Sequence, residues 1–227
     1  MGTAFDQRKE NLFNSKKRPL TPKRTNLLLI FTRNPELGKC KTRLAARIGN
    51  SAALKVYEFL LDHTVNFTRN LHAAKFVYYS ETIWENDVWD NSVYKKKLQE
   101  GQDLGSRMQH AFSNGFDLGF KKIIIIGSDM FDMSTTDLET AFSRLDDHDY
   151  VIGPAEDGGY YLLGMKQETP KLFQNKSWGT ESVLSDTLEN LKNERVFLMP
   201  EKNDVDHYED IKDKDAFRPF LKHVKND

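Results

Sequence analysis

The stretch KKIIIIG at residues 121–127 constrains the fold more than any other part of the chain, because it contains four consecutive isoleucines. β-Branched residues favour strands. A run without alternating polar residues is typical of a strand covered on both faces, as in the middle of a parallel sheet. The run NLLLIFT at Asn26–Thr32 has the same character. Neither run reaches the ~20 residues that a membrane-spanning helix needs. The chain is therefore predicted to build an α/β core around a buried sheet.

Strand and helix patterns alternate along the rest of the chain. Further strands are predicted at residues 75–80, 150–153, 160–165 and 195–199, and helices at residues 42–48, 51–61, 104–115, 134–145 and 183–191. Residues 81–100 have no clean period and are predicted to be a surface excursion. Ser134 followed by Asp137 fits a capping box, and the acidic segment 203–215 precedes a last amphipathic helix. The alternation predicts a single-domain, three-layer α/β sandwich with a mostly parallel sheet over residues 25–227.

The composition excludes several classes of protein. Fifteen Phe, eight Tyr and three Trp in 227 residues are enough for a hydrophobic core, so the chain as a whole is not expected to be disordered. The single cysteine, Cys40, excludes an intramolecular disulfide framework and a multi-cysteine zinc site, and it favours a reducing cytoplasm. The N-terminal residues show no apolar segment of the kind found in signal peptides.

The charge of the chain is unevenly distributed. Residues 1–24 carry seven Lys or Arg against two acids, a net charge of +5, whereas the remainder carries −6. A mildly acidic body argues against a nucleic-acid-binding domain. Residues 1–24 are predicted to form a basic, flexible and solvated arm. The expected partners are small molecules, with neither nucleic acid nor a membrane span.

A cationic loop follows the first predicted strand, at the edge where an open α/β sheet binds its ligands. The loop holds four basic residues around Gly38, which are Arg33, Lys39, Lys41 and Arg43. Basic side chains and free backbone amides at the start of a helix suit phosphate oxygens. These residues are predicted to bind phosphates, and the alternative interpretation is a solvated run of charge. The loop is not a Walker A motif, because Cys40 replaces the required Ser or Thr.

Three carboxylates are candidate ligands of a divalent cation. Asp129 directly follows the most buried predicted strand, and Asp204 and Asp206 lie two residues apart on one side of an extended segment. Mg²⁺ and Mn²⁺ prefer such hard oxygen ligands, and a cation bound there would hold a diphosphate. The alternatives are a turn or capping role for Asp129 and a solvated acidic stretch for the other two.

A glycine-rich turn within GPAEDGGYYLLG brings carboxylates and free backbone amides together. Its residues are Glu156, Asp157, Gly158 and Gly159, and only glycines allow so tight a turn. A plain hairpin would need only Asp-Gly, so the full string predicts more than a turn. Other chemistries lack their motifs, since the chain has no G-x-S-x-G, no H-E-x-x-H and no G-x-G-x-x-G after any predicted strand.

Six motifs, in this order, resemble one bacterial family: FTRNPELGKCKTRLA, QDLGSRM, IIIIGSDM, GPAEDGGYYLLG, SWGTESVL and NDVDHYEDI. The family is known as the radical-SAM/selenodomain-associated transferases, also labelled arsenosugar-biosynthesis glycosyltransferases. The resemblance runs from about Asn26 to Phe217 and implies a GT-A-like nucleotide-diphospho-sugar transferase fold. More distantly, the chain is similar to phospholactate and molybdenum-cofactor guanylyltransferases. It departs from the family at Asp129-Met130-Phe131, where the family usually has Pro two residues after the Asp.

The resemblance also implies roles for individual residues. The four cations of the loop would contact nucleotide phosphates, and Gly105 and Arg107 would lie near the nucleotide. Mg²⁺ or Mn²⁺ would be held by Asp129, Asp204 and Asp206, and the turn Asp157-Gly158-Gly159 would shape the donor or acceptor site. These roles predict a metal-dependent transferase that uses an activated nucleotide.

Three functions remain open from the sequence. In a glycosyltransferase with a nucleotide-sugar donor, Glu156 or Asp157 would be the base for a small-molecule acceptor if the reaction inverts. In a nucleotidyltransferase, a phosphorylated acceptor would attack an NTP. A non-catalytic nucleotide sensor would have gaps among the cations and carboxylates, and the chain has none. Glycosyl transfer is the function we favour.

Overall fold

The computed structural model describes residues 25–224, and the predicted arm at residues 1–24 lies outside the described residues. The strands are β1 Asn26–Thr32, β2 Ala74–Tyr79, β3 Lys95–Leu98, β4 Lys122–Gly127, β5 Tyr150–Pro154, β6 Tyr160–Met165 and β7 Val196–Leu198. The helices are α1 Thr42–Ile48, α2 Asn50–Thr68, α3 Leu104–Asp117, α4 Thr135–Asp147, α5 Val183–Asn190 and α6 Arg218–Leu221. Short 3₁₀ turns lie at Pro170–Phe173, Tyr208–Asp210 and Asp215–Phe217.

The seven strands form one sheet in the order β3-β2-β1-β4-β6-β5-β7. Strand β6 runs antiparallel to both of its neighbours, β4 and β5, and the other neighbouring pairs are parallel. The predicted α/β fold with a mostly parallel sheet is confirmed. Because β6 is reversed, its first residue lies at the same edge of the sheet as the last residue of β4.

The isoleucines of β4 explain the place of that strand in the middle of the sheet. Ile123 to Ile126 are buried, and alternate members belong to the hydrophobic cores on opposite faces of the sheet. Strand β4 is in register with β1, with Ile126 opposite Ile30. Both strands therefore end together, at Thr32 and Gly127, and the loops that follow them start side by side.

Two helix starts show how local sequence fixes the ends of elements beside this edge. The Ser134 hydroxyl accepts a hydrogen bond from the backbone N–H of Asp137, and the Asp137 carboxylate accepts one from the backbone N–H of Ser134. The predicted capping box at the start of α4 is therefore confirmed. Asp103 and Ser106 make the same reciprocal arrangement at the start of α3. Helix α3 is thereby held with its N-terminal end at the carboxyl edge of the sheet.

Residues 81–100 contain a strand that the prediction missed. Strand β3 pairs in parallel with β2 at the edge of the sheet, and its sequence KKKL has no apolar alternation. The Lys96 side chain is buried and lies 2.8 Å from Asp87, so tertiary contacts stabilise a strand that propensity disfavours. Lysines are common on edge strands, where they oppose pairing with another sheet. The predicted last helix is present as α6, with four residues.

Among residues 25–224, no helix combines the length and the apolar character required to cross a membrane.

Candidate active site

Two adjoining cavities open at the carboxyl edge of the sheet. The larger, of about 820 Å³, is here called the cationic compartment, and its wall includes Arg33, Lys39, Lys41, Arg43, Gln99 and Arg107. The smaller, of about 250 Å³, is here called the apolar compartment, and its wall includes Phe31, Leu104, Met108, Tyr160, Trp178 and Val183. The compartments share Asp129, Asp157 and Asp204. A ligand that occupied both would cross a boundary of carboxylates.

Lys41 lies on the cationic side of the boundary, in contact with one of its carboxylates. It precedes α1 with a left-handed backbone (φ 49°), and its ammonium donates to Asp129 Oδ2 at 2.7 Å. Its side chain is only 6% exposed. Burial alone would lower the pKa of Lys41, but the carboxylates of Asp129, Asp204 and Asp206 outweigh it and raise that pKa. Lys41 is therefore a buried, permanently charged cation.

Asp129 is held by the end of β4. A Cβ on Gly127 would lie 2.7 Å from Asp129 Oδ1, so the glycine provides the room that this carboxylate uses. The Asp129 carbonyl accepts from the backbone N–H of Val205 at 3.2 Å. That bond ties the loop after β4 to the segment with the other two carboxylates, although the two are far apart in sequence.

Asp204 and Asp206 complete the acidic group. The pKa of Asp204 is raised to about 6, because burial disfavours its charge and the neighbouring Asp129 carboxylate repels it, while Lys41 offsets part of the effect. Asp206 accepts from Arg43 Nη1 at 2.7 Å and lies 3.9 Å from the ammonium of Lys41. Asp129 and Asp204 therefore line both compartments, whereas Asp206 lines only the cationic compartment.

The turn after β5 adds a fourth carboxylate. Gly158 has φ +84°, and a Cβ there would lie 2.4 Å from the Glu181 carbonyl oxygen, so a glycine is required on both counts. Asp157 Oδ1 accepts from the N–H of Gly159 at 2.9 Å, and Asp157 lines both compartments. Glu156 is exposed and, among the described residues, is not part of either wall.

Gly105 and Arg107 lie on the first turn of α3. A Cβ on Gly105 would lie 2.5 Å from Trp178 Nε1, so this glycine seats the indole against the helix. Arg107 donates from Nε to the Gly101 carbonyl oxygen at 3.1 Å and lines the cationic compartment. Gly105 thus shapes the apolar side, whereas Arg107 belongs to the side where phosphates are expected.

The outer cations of the loop are more exposed than Lys41. Lys39 bridges Glu36 and Glu81 at 2.8 and 3.4 Å, with 55% of its side chain exposed. Arg33 is exposed as well, and its backbone N–H donates to the Tyr57 hydroxyl at 2.9 Å. Cys40 is buried in this wall, and burial raises the pKa of its thiol, which argues against a thiolate nucleophile.

A buried hydroxyl network beneath the boundary was not anticipated from the sequence. The Tyr57 hydroxyl lies 3.2 Å from both Thr32 Oγ1 and Ser128 Oγ, and Thr64 Oγ1 donates to the Ser128 carbonyl oxygen. These bonds fix the ends of β1 and β4 relative to α2. Thr32 ends the apolar run of β1, and Ser128 follows the apolar run of β4. A polar residue at the end of a buried strand was therefore the sequence signal for this network.

The carboxylate side chains described above are chemically suited to bind a divalent cation. Within residues 25–224 no three His, Cys, Asp or Glu side chains are already arranged around a common metal position. The donors at the boundary are nevertheless carboxylate oxygens, the hard ligands that Mg²⁺ and Mn²⁺ prefer. Asp129, Asp204 and Asp206 are the residues that would hold Mg²⁺ or Mn²⁺.

The chain belongs to a bacterial protein family described as "Uncharacterized protein conserved in bacteria (DUF2064)", whose model matches residues 64–180. The matched range includes Gly105, Arg107, Asp129 and Asp157. Among curated proteins, none matches this chain.

Solved structures place the fold. A protein from Desulfovibrio desulfuricans G20, described as a candidate nucleotide-diphospho-sugar transferase, is 30% identical over 85% of this chain and 90% of its own, with a TM-score of 0.77. A manganese complex of Rv0371C from Mycobacterium tuberculosis H37Rv is 11% identical, over 88% of this chain and 100% of its own, with a TM-score of 0.53.

The inositol-1-phosphate CTP transferase from T. maritima is 10% identical, over 89% of this chain and 99% of its own, with a TM-score of 0.52. The likenesses to Rv0371C and to the inositol-1-phosphate CTP transferase show only a shared fold. Together with the family match, the comparisons support an enzyme of the transferase type with the nucleotide-diphospho-sugar transferase fold.

Proposed function

We propose that this protein is a metal-dependent glycosyltransferase that takes a sugar from a nucleotide-sugar donor to a small-molecule acceptor. One observation carries the proposal. The cationic compartment and the carboxylates Asp129, Asp157 and Asp204 meet at the edge of the sheet where β1 and β4 end. Open α/β sheets bind their ligands at this edge. The resemblance to radical-SAM/selenodomain-associated transferases supports the same reaction class.

The cations of the loop would bind the donor diphosphate. Lys41 and Arg43 lie nearest the carboxylates, and Arg33, Lys39 and Arg107 extend the positive wall outward. Charge-assisted bonds from such groups hold phosphate oxygens and orient the bond to be broken. The side chain of Lys41 is fixed by burial, so it is the cation best suited to hold one position throughout the reaction.

Asp129, Asp204 and Asp206 would hold the divalent cation. When bound, Mg²⁺ or Mn²⁺ supplies charge stabilisation for the departing diphosphate. The manganese complex of a protein with the same fold supports the use of such an ion. The protein's own contribution is to gather the carboxylates by the bond from Val205 to the Asp129 carbonyl and by the pairing of Asp206 with Arg43.

Asp157 is the base that the geometry favours for an inverting transfer. It lines both compartments, whereas Glu156 is exposed outside both walls. The acceptor oxygen would form a bond to the anomeric carbon while the bond from that carbon to the diphosphate oxygen breaks. The electron pair of the broken bond leaves with the nucleoside diphosphate, and the acceptor proton passes to the Asp157 carboxylate.

Nucleotidyl transfer is the second candidate, because the positive wall is long enough for a triphosphate. Five cations line the cationic compartment, enough for a triphosphate as well as a diphosphate. In that reaction a phosphorylated acceptor would attack the α-phosphorus of an NTP, and pyrophosphate would leave. The same cations and carboxylates would serve, so binding preference separates the two reactions.

A thermal-shift panel tests both candidates. UDP-, GDP-, CDP- and ADP-sugars are compared with the four NTPs, each with and without Mn²⁺. A ligand at a hundred times its Kd adds about 2.7 kcal/mol of stability, a shift of several degrees for a chain of this size. A Mn²⁺-dependent shift with one nucleotide sugar is the expected result. A shift with an NTP alone would replace the proposal with nucleotidyl transfer, and no shift with any nucleotide would refute both.

A further inference from the structure

The apolar compartment gives information about the second substrate that the cationic compartment does not. Its volume of about 250 Å³ exceeds the ~150 Å³ of an apolar protein cavity known to take up benzene. Its wall is formed by aromatic, aliphatic and thioether side chains, among them Phe31, Met108 and Trp178. No Lys, Arg or His lines it within residues 25–224. A phosphate or another anionic group would find no counter-ion there.

The charged groups of the apolar compartment are confined to its boundary. Asp129, Asp157 and Asp204 lie on the side shared with the cationic compartment. A hydroxyl at this boundary would be next to the base and the donor, while the rest of the acceptor would extend into the apolar side. The carboxylates would also repel an anionic acceptor.

Tyr160 adds one polar group to the inner wall. Its hydroxyl contacts the Met108 sulfur at 3.8 Å, and a thioether is a weak acceptor. Burial raises the pKa of Tyr160, so the hydroxyl keeps its proton and can donate to a ligand. A small apolar group with a single polar atom is the kind of ligand for which such a wall is suited.

Trp178 packs closely against α3. The absent Cβ of Gly105 leaves room for the indole against α3, and Gly158 makes similar room for the backbone of Glu181, three residues beyond Trp178. Flat aromatic surfaces pack well against other rings. The two glycines therefore allow the close packing that places Trp178 in the wall of the apolar compartment.

We infer that the acceptor is an alcohol with a flat apolar ring and no anionic group, whose hydroxyl lies at the carboxylate boundary and whose ring packs on Trp178. This inference rests on the proposed glycosyl transfer and narrows its acceptor class. It distinguishes the protein from a transferase that modifies sugar phosphates or other polyanions.

The test is saturation-transfer NMR on the full chain with benzyl alcohol as the probe and glycerol as the polar comparison. Benzyl alcohol is expected to bind and glycerol to give no signal. Trp178→Ala is expected to weaken benzyl alcohol binding at least about tenfold, which corresponds to ~1.4 kcal/mol. The matched control is Trp84→Ala, because Trp84 is half-buried and lines a separate cavity. The control should bind like the wild type.

A second variant guards against misfolding of Trp178→Ala. Leu104→Ser alters the mouth of the apolar compartment at a side chain that is 46% exposed, and it should also weaken the probe. Binding that is unchanged in both variants, binding that falls only in Trp84→Ala, or equal binding of glycerol would overturn the inference.

The nucleotide panel is run on the same samples. Nucleotide shifts should be retained in Trp178→Ala. An absent nucleotide shift in the wild type would count against the proposed function, whereas the benzyl alcohol result would still decide the character of the apolar compartment.

Discussion

The cationic compartment is built largely from a loop that directly follows a strand, whereas the apolar compartment is assembled from segments spread over the chain. The first depends on β1 and β4 ending together, and its cations are close in sequence. The second depends on the reversal of β6, which brings Tyr160 to the edge beside Met108 and Trp178. The positive charge of the cationic compartment thus comes mainly from one local motif, whereas the shape of the apolar compartment depends on the topology of the sheet.

The difference predicts that the two sides respond differently to mutation. Changes on the cationic side should alter nucleotide or metal binding with little effect on folding, because most of its side chains are partly exposed. Changes at the glycines that support the apolar side should reduce stability, because those positions have no free space. The following predictions test this division, beginning with the largest expected effect.

Asp129→Ala should lower kcat by about 10³-fold, because a metal ion contributes several kcal/mol of charge stabilisation and this variant removes a proposed ligand of that ion. The measurement is steady-state transfer with the donor identified by the thermal-shift panel. The matched control is Asp132→Ala. Asp132 lies in the same loop as Asp129, and its carboxylate pairs with Lys214. Equal losses in both variants, or full activity in Asp129→Ala, would contradict the assignment.

Gly158→Ala should reduce the free energy of unfolding by about 2–4 kcal/mol, because strain from a positive φ adds to a clash with Glu181. The control is Gly119→Ala, since Gly119 has nearly the same φ (+87°) but no heavy atom within 4 Å of an added Cβ. Its expected cost is ~1 kcal/mol. Denaturant unfolding measures both variants, and equal losses would show that the contact with Glu181 has no effect.

Asp204→Asn should stabilise the metal-free protein at high pH. An acid whose pKa rises from 3.8 to about 6 on folding binds more protons in the folded state, so stability falls as pH rises across that interval. The cost above the interval is about 1–3 kcal/mol. Thermal unfolding in a chelator should therefore favour the variant at pH 8 (roughly two units above the raised pKa), and the difference should disappear at about pH 3, below the unfolded pKa. A constant difference at all pH values would refute this origin.

Lys39→Met should weaken nucleotide binding by about three- to fivefold, or ~0.6–1 kcal/mol, because exposed charges interact weakly and Lys39 already pairs with two glutamates. The loss should shrink at high salt. Lys192→Met is the control, since Lys192 is similarly exposed and pairs with Glu189. Titration calorimetry would compare them, and a salt-independent loss would argue against a direct phosphate contact.

Much of the fold was predictable because its signals are local. The apolar runs of β1 and β4 and the capping box at Ser134 each specify an element without reference to distant residues. Strand β3 was missed because three lysines conceal it, and it exists through its pairing with β2 and the contact of Lys96 with Asp87. Neither contact can be predicted from the sequence of the strand itself.

The site was predictable to a similar depth. The cations and the three aspartates follow strands, so their meeting at one edge could be expected from the fold. The ion pair between Lys41 and Asp129 could not, because 88 residues separate them and each was assigned a different ligand. The role of Gly105 in seating Trp178 likewise appears only when α3 and the loop at residues 177–181 are packed together.

The central claim is that Asp129, Asp204 and Asp206 hold a divalent cation beside a nucleotide. The most direct test is a Mn²⁺ titration followed by electron paramagnetic resonance, in the presence of the nucleotide that gives a thermal shift. The wild type should bind Mn²⁺ stoichiometrically, and Asp129→Ala should lose that binding while Asp132→Ala retains it. Equal Mn²⁺ binding by the wild type and Asp129→Ala would contradict the claim.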